Sequence, residues 1–149
     1  MRRIMIGAVI GLLCIGGAAN AQGEGSADIV RARQAALMMS GVTMGAIKAG
    51  IDANQPLQNQ RFNTRALSRW AHALSGMFPV GSGPEAGVPT KALSGVWTDR
   101  AGFEEKAAAY AAAADRLSEL SQGEDAAAFA AQWTEVRATC QSCHDVYRE

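Results

Sequence analysis

Apolar residues recur at spacings of three and four along most of this chain, and no segment shows a sustained alternation of apolar and polar positions. Such a period is typical of amphipathic α-helices. It predicts four helices, at about residues 28–50, 59–77, 100–120 and 124–147. Because the connections between them are of modest length, neighbouring helices should run antiparallel. The expected fold is all-α, an antiparallel up-down-up-down four-helix bundle.

The same periodicity predicts which face of each helix is buried. On the second helix the expected core residues are Phe62, Ala66, Trp70, Ala73 and Met77. On the third helix they are Phe103, Ala107, Tyr110, Ala114 and Leu117. On the fourth helix they are Phe129, Trp133, Val136, Cys140 and Tyr147. The stretch 78–96 is rich in glycine and proline, so it is expected to be a long loop.

The first 21 residues have the organisation of a secretory signal peptide. Two arginines follow Met1, an apolar stretch covers residues 4–15, and Ala19-Asn20-Ala21 is a small-residue cleavage site. The apolar stretch is shorter than the about twenty residues that a membrane span needs. We therefore expect a signal peptide at residues 1–21 and a single domain at residues 22–149. The mature protein is expected in a bacterial periplasm, not inserted in a membrane.

The charge pattern narrows the classes of partner. The chain has 14 basic and 14 acidic residues, and loss of the signal peptide removes two arginines and leaves a net charge of −2. The mature sequence has neither a basic stripe nor a run of aromatic residues on which bases could stack. A nucleic-acid partner is therefore not expected.

The candidate chemistry lies near the C-terminus, in the sequence Cys140-Gln141-Ser142-Cys143-His144. A C-x-x-C-H box is the attachment signal of a c-type haem. On a helix, residues three and four apart share a face, so both sulfurs can reach one porphyrin edge while His144 binds the iron. The third cysteine, Cys14, belongs to the predicted signal peptide, so both cysteines of the mature chain lie in the box.

Other chemistries of paired cysteines fit the pattern less well. A thioredoxin-like redox pair is expected near a βαβ pattern, which this sequence lacks. A structural zinc site needs four ligands, and outside the box the mature chain offers only His72. That histidine is more simply interpreted as a surface or hydrogen-bonded residue. A disulfide between Cys140 and Cys143 stays open as an alternative in an exported protein.

Two further stretches accompany the box, Arg33-Gln34-Ala35-Ala36-Leu37 in the first helix and Val96-Trp97-Thr98-Asp99 ahead of the third. Together they resemble the class II c-type cytochromes, most closely the cytochromes c′, over essentially the whole mature chain. The resemblance implies a four-helix bundle with one covalently attached haem c in its core. It also implies that Cys140 and Cys143 are the thioether anchors and that His144 is the axial ligand of the haem iron.

The resemblance implies a haem environment as well. Arg33 and Gln34 match positions at the haem edge, where a guanidinium can pair with a propionate. Leu37 matches the residue that faces the open side of the iron, and Arg148 matches an arginine near the axial histidine. From the sequence alone, Arg33 can equally be a solvated helix residue and Arg148 a cation that stabilises a helix end. No haem contact is assigned to the loop 78–96.

The implied function follows from Leu37, the residue that the resemblance places on the open side of the haem iron. Leucine has no lone pair for iron, so Leu37 predicts a five-coordinate haem that binds small gases such as nitric oxide and carbon monoxide, transfers electrons, or does both. That side is expected to be apolar, without a hydrogen bond for a bound gas. The alternative is a low-spin electron-transfer cytochrome in which Met38 or Met44 completes the iron coordination.

Two expectations concern catalysis and assembly. Peroxidase chemistry normally needs a histidine or arginine as acid–base group on the open side, and the first helix offers only Arg33 near the haem edge, so an enzymatic role is not expected. The resemblance implies a homodimer built through the first two helices. The sequence does not identify a redox partner protein.

Overall fold

The computed structural model describes residues 17–149, with side chains from residue 25 onwards. Five α-helices follow one another, α1 (Gly17–Asp52), α2 (Arg61–Ala73), α3 (Gly95–Thr98), α4 (Arg100–Leu120) and α5 (Ala126–Tyr147). Short 3₁₀ turns lie at Leu57–Gln60, Ser75–Met77 and Pro84–Ala86. The four long helices form the expected bundle, and α3 is a single turn ahead of α4. The first sixteen residues of the predicted signal peptide lie outside the described part of the chain.

Local chemistry explains where the helices begin and end. The Asp99 side chain caps α4 by accepting a hydrogen bond from the Gly102 amide at 3.2 Å. Asp125 caps α5 in the same way, from the Ala128 amide at 2.9 Å. Each carboxylate satisfies an amide that has no partner within the first turn. After α1, Asn54 adopts a left-handed conformation with φ 48°, which turns the chain back towards α2.

The core between the long helices confirms most of the predicted pattern. All five predicted core residues of α4 are buried, namely Phe103, Ala107, Tyr110, Ala114 and Leu117. On α5, Phe129 and Val136 are fully enclosed, and Trp133 and Cys140 pack against them as partly buried residues. The buried stripe of α5 therefore runs directly into the Cys-x-x-Cys-His box. Within the described residues, no helix is long and apolar enough to cross a membrane.

The predicted core face of α2 is wrong. Phe62, which was expected inside, is 79 % exposed, and the buried residues are Thr64, Leu67 and Ala71. The second helix carries two apolar stripes about a third of a turn apart, and the stripe with the larger aromatic residues is not the one that packs. The 3₁₀ turn at Leu57–Gln60 buries both of its end residues before α2 begins. Leu67 and Ala71 of α2 join the main core together with residues of α4.

The end of α5 is paired with the long loop. The Leu93 amide donates to the Tyr147 carbonyl at 3.0 Å, and the Glu149 amide donates to the Lys91 carbonyl at 2.9 Å. Ala92 and Arg148 form an isolated antiparallel bridge between these two bonds. The last residues of the chain are therefore fixed by backbone hydrogen bonds instead of fraying into solvent.

The side chain of Tyr147 adds a second attachment. Its hydroxyl donates to the Asp99 carboxylate at 2.6 Å, and its ring meets the Phe103 ring edge to face with centroids 5.5 Å apart. The hydrogen bond stabilises the neutral phenol and, with a smaller effect of burial, raises the pKa of Tyr147 to about 12. Because Asp99 also caps α4, one carboxylate joins the start of α4 to the end of α5.

Leu67 is buried and Phe62 is exposed on the same helix, so truncating the two side chains should have unequal effects on stability. Leu67→Ala should lower the free energy of unfolding by about 2–5 kcal/mol, because it leaves a cavity in a fully enclosed site. At a concentration where the protein is a monomer, Phe62→Ala should change it by no more than about 0.5 kcal/mol, as is usual for exposed positions. Urea denaturation of the holoprotein measures both values. Equal losses in the two variants would contradict the packing of α2 described above.

The Tyr147–Asp99 contact predicts an alkaline effect on stability. The folded protein holds the pKa of Tyr147 above the ordinary value of 10.0, so the stabilisation is complete below pH 10 and is lost as the pH rises towards 12. Tyr147→Phe should be less stable than the wild type at pH 8, and the difference should shrink between pH 10 and 12. Denaturation curves over this range test the effect, and a difference that is independent of pH would refute it.

Candidate haem site

A cleft of about 1260 Å³ lies between α1, α4 and α5. It exceeds the roughly 300–1,000 Å³ of pockets for drug-sized ligands, which suits a large planar cofactor. Loop residues 88–92 close one end of it, and the walls are mainly apolar, with Leu37, Met44, Phe78, Val96, Phe103 and Trp133 among the lining residues.

The three functional residues of the box all line this cleft from α5. Burial raises the pKa of both the Cys140 and the Cys143 thiol, the effect on Cys143 being opposed by the charge of Lys106. Burial also lowers the pKa of His144, and the nearby charge of Arg148 lowers it further. The cleft therefore presents two neutral thiols and a neutral imidazole, and the neutral imidazole is the form that binds a metal.

This donor set fits a haem better than the alternatives. A reactive redox cysteine needs a lowered pKa, whereas both thiols here have raised ones, and the structure holds them as free cysteines instead of a disulfide. The described residues contain no group of three or more histidine, cysteine, aspartate or glutamate side chains arranged to hold a metal ion. The large apolar cleft around two thiols and one imidazole matches a covalently attached porphyrin.

Arg33 lies in the cleft wall and is buried. The alternative interpretation of Arg33 as a solvated helix residue is therefore wrong. The residue is 3 % exposed, and its guanidinium donates to Ser82 Oγ at 2.8 Å and to Thr90 Oγ1 at 3.1 Å. It also stacks 4.4 Å from the centre of the Phe78 ring. Burial lowers the pKa of Arg33, and Glu85 opposes the shift from a distance. No described carboxylate pairs with it directly, so an acidic group of a bound cofactor would complete its surroundings.

Sequence reasoning missed the contribution of the long loop. Gln34 donates to the Pro89 carbonyl at 2.8 Å, and together with Arg33 it holds the loop against α1. Residues 88–92 consequently form a wall of the cleft. No periodicity or motif in the loop predicts that it lines the cleft. Its position depends on hydrogen bonds from a helix more than fifty residues earlier in the chain.

The candidate residues of α1 all line the cleft but differ in exposure and packing. Leu37 lines the cleft with 39 % of its surface exposed, and Met38 lines it with 67 % exposed. Met44 also lines the cleft but packs against the main core. Its carbonyl accepts a hydrogen bond from Trp133 Nε1 at 3.1 Å. Arg148 also lines the cleft, and its charge acts on His144.

Two residues of α4 line the cleft although the sequence gave no functional prediction for them. Lys106 and Tyr110 of α4 line the cleft, where the sequence indicated only that Tyr110 is buried. His72, in contrast, is exposed on α2 outside the cleft, and its Nε2 lies 2.9 Å from Asp115 Oδ2. It is the hydrogen-bonded surface histidine that the sequence favoured.

Comparisons with known proteins agree with this site. The family model described as Cytochrome C′ matches residues 28–148. Cytochrome c′ of Halomonas halodenitrificans is 32 % identical over 126 residues, which cover 81 % of this chain and 96 % of that protein. The crystal structure of cytochrome c′ from Rubrivivax gelatinosus superposes with a TM-score of 0.75 at 28 % identity, covering 83 % of this chain and 97 % of that one.

A second solved structure shares the fold and carries a ligand. It is a nitric oxide complex of a mutant cytochrome c prime from Alcaligenes xylosoxidans, with a TM-score of 0.74 at 24 % identity over 83 % of this chain and 95 % of that one. The family match over nearly all of the described chain, together with the cleft that surrounds the Cys-x-x-Cys-His box, leads to one conclusion. This chain belongs to the cytochrome c′ family and binds a covalently attached haem c.

Proposed function

We propose that Cys140 and Cys143 form the two thioether bonds to the haem and that His144 is the axial ligand of its iron. The three side chains line one cleft from one helix, and residues three and four apart on a helix share a face. The lowered pKa of His144 keeps its imidazole neutral and able to coordinate. We further propose that the buried guanidinium of Arg33 receives a haem propionate at the loop end of the cleft, where Gln34 secures the wall.

We propose that the protein is a five-coordinate haem protein that binds nitric oxide and similar gases on the side covered by Leu37, and that it also transfers electrons. When bound, the haem supplies an iron centre that can accept a diatomic gas and exchange one electron. The observation that carries this proposal is that α1 presents Leu37, a side chain without a ligating atom, to the cleft. The nitric oxide complex of a protein with the same fold supports the choice of gas.

The methionines of α1 support the five-coordinate assignment over the low-spin alternative. Met44 packs against the main core and has its carbonyl fixed by Trp133, which is typical of a methionine that fills space. Met38 is 67 % exposed and lies about 100° around α1 from Leu37, and Met44 lies about two turns further along the helix. Neither sulfur can therefore take the place of the Leu37 side chain unless α1 shifts.

We also propose where the protein works and how it assembles. The predicted signal peptide and the attachment of haem outside the cytoplasm support a periplasmic location. Apolar residues exposed on the first two long helices support a homodimer through α1 and α2, namely Ile29, Met38, Met39 and Val42 on α1 and Phe62 on α2.

The attachment residues predict a covalent haem. Haem staining after denaturing electrophoresis should label the mature wild-type protein, label Cys140→Ala and Cys143→Ala weakly, and leave the double variant unlabelled. Cys14→Ala is the matched control and should stain like the wild type, because that cysteine belongs to the predicted signal peptide. His144→Ala should keep the stain but change the absorption spectrum. Loss of all haem from the denatured wild type would contradict covalent attachment.

The position of Leu37 predicts a steric control of gas binding. Leu37→Ala should bind carbon monoxide roughly tenfold faster in the ferrous state, as expected if the side chain adds about 1.4 kcal/mol to the barrier. Met39→Ala is the control, because Met39 lies on the same helix and is not among the residues of the cleft. Flash photolysis measures the rates. Equal rates in all three proteins, with a low-spin wild-type paramagnetic resonance spectrum, would favour the methionine-ligated alternative.

A further inference from the structure

The aromatic residues beside the cleft form a continuous cluster that reaches from the cleft towards the protein surface. Phe78 and Phe103 line the cleft, and their rings meet edge to face with centroids 5.1 Å apart. Trp97 lies behind them, and its ring centroid is 6.1 Å from that of Phe78. Trp97 itself is not among the residues that line the cleft. A single aromatic ring, that of Phe78, therefore separates Trp97 from the haem cleft.

The haem box is in contact with the same cluster. Phe78, Phe103 and Tyr147 are buried together, and the Tyr147 ring meets the Phe103 ring with centroids 5.5 Å apart. Cys143 packs against this cluster as a partly buried residue, and so does Trp97. Because Cys143 is one of the proposed thioether anchors, the cluster lies against a residue that is bonded directly to the cofactor.

The surface end of the cluster is fixed by a hydrogen bond. Trp97 is half-buried, and its Nε1 donates to the Pro79 carbonyl at 2.9 Å. Val80, the next residue in the loop, is 95 % exposed. Aromatic residues are enriched where proteins contact one another. The indole of Trp97 is therefore attached to a segment that a partner protein can touch.

The charge beside these rings decides how an electron passes them. The Arg33 guanidinium lies 4.4 Å from the centre of the Phe78 ring and 5.7 Å from that of Trp97. A cation over an aromatic ring is attracted by the electrons of the ring, so loss of an electron from either ring is disfavoured. The two rings therefore act as a packed medium for the electron and are not themselves oxidised.

We propose that electrons pass between the haem and a redox partner through Phe78 and Trp97, and that the partner touches the surface at Pro79 and Val80. This inference rests on the electron transfer proposed above. The step moves one electron between the partner and the iron, and it makes and breaks no bond. Electron tunnelling is slower across empty gaps than through close-packed atoms, and a protein interior is packed like an organic crystal. The filled route through the two rings is therefore favoured over a route through solvent.

A ruthenium(II) polypyridyl label on Val80→Cys tests the route without a partner protein. After a light flash the excited label gives one electron to the ferric iron and becomes ruthenium(III), and absorption spectroscopy follows the reduction of the iron. Trp97→Leu should slow this transfer severalfold, because the smaller side chain leaves a gap between Phe78 and the surface. Trp97→Phe keeps an aromatic ring and should restore most of the rate. The reduction potential of each holoprotein is measured as well, so that rates are compared at a known driving force.

The same label on Val146→Cys is the matched control. Val146 is 51 % exposed and lies two residues after His144, so an electron from this position does not need to cross Trp97. Trp97→Leu should leave the rate from this label unchanged. Equal slowing from both labels, or no slowing from the label at position 80, would overturn the route while electron transfer itself stands. A ferric wild type that neither the labels nor dithionite can reduce would overturn the electron-transfer function and this inference with it.

Discussion

The rest of the structure depends on how the end of α5 is held. His144 lies five residues before the C-terminus, and the last turn of a helix leaves its carbonyl groups unpaired, so such ends tend to fray. Here the backbone of the final residues is hydrogen-bonded to Lys91 and Leu93 of the long loop, and the Tyr147 hydroxyl donates a hydrogen bond to Asp99. Asp99 also caps α4. The loop, α4 and α5 are thereby connected around the imidazole of His144, the proposed axial ligand.

The buried cation of Arg33 lies next to this connection, because it stacks on Phe78, which packs in one cluster with Phe103 and Tyr147. A guanidinium loses hydration when it is buried and needs polar partners in return. Ser82 and Thr90 supply them from the loop, and Phe78 supplies an aromatic face. One end of the cleft is therefore cationic and polar, whereas the wall around Leu37 and Met44 is apolar. This contrast is the basis for the proposal that Arg33 receives an acidic group of the cofactor.

The sequence by itself determined the helical class, the core face of α4 and the Cys-x-x-Cys-His box, because each depends on residues within one or two helical turns. It also identified Leu37 and Arg33 as candidate haem contacts through the resemblance to a known family. Local periodicity could not choose between the two apolar stripes of α2, since the buried stripe is the one that meets the core residues of α4. The loop wall at residues 88–92 and the burial of Arg33 against Ser82 and Thr90 were decided only by tertiary structure. Both arise from groups distant in sequence that meet across the cleft, and no local pattern encodes such a meeting.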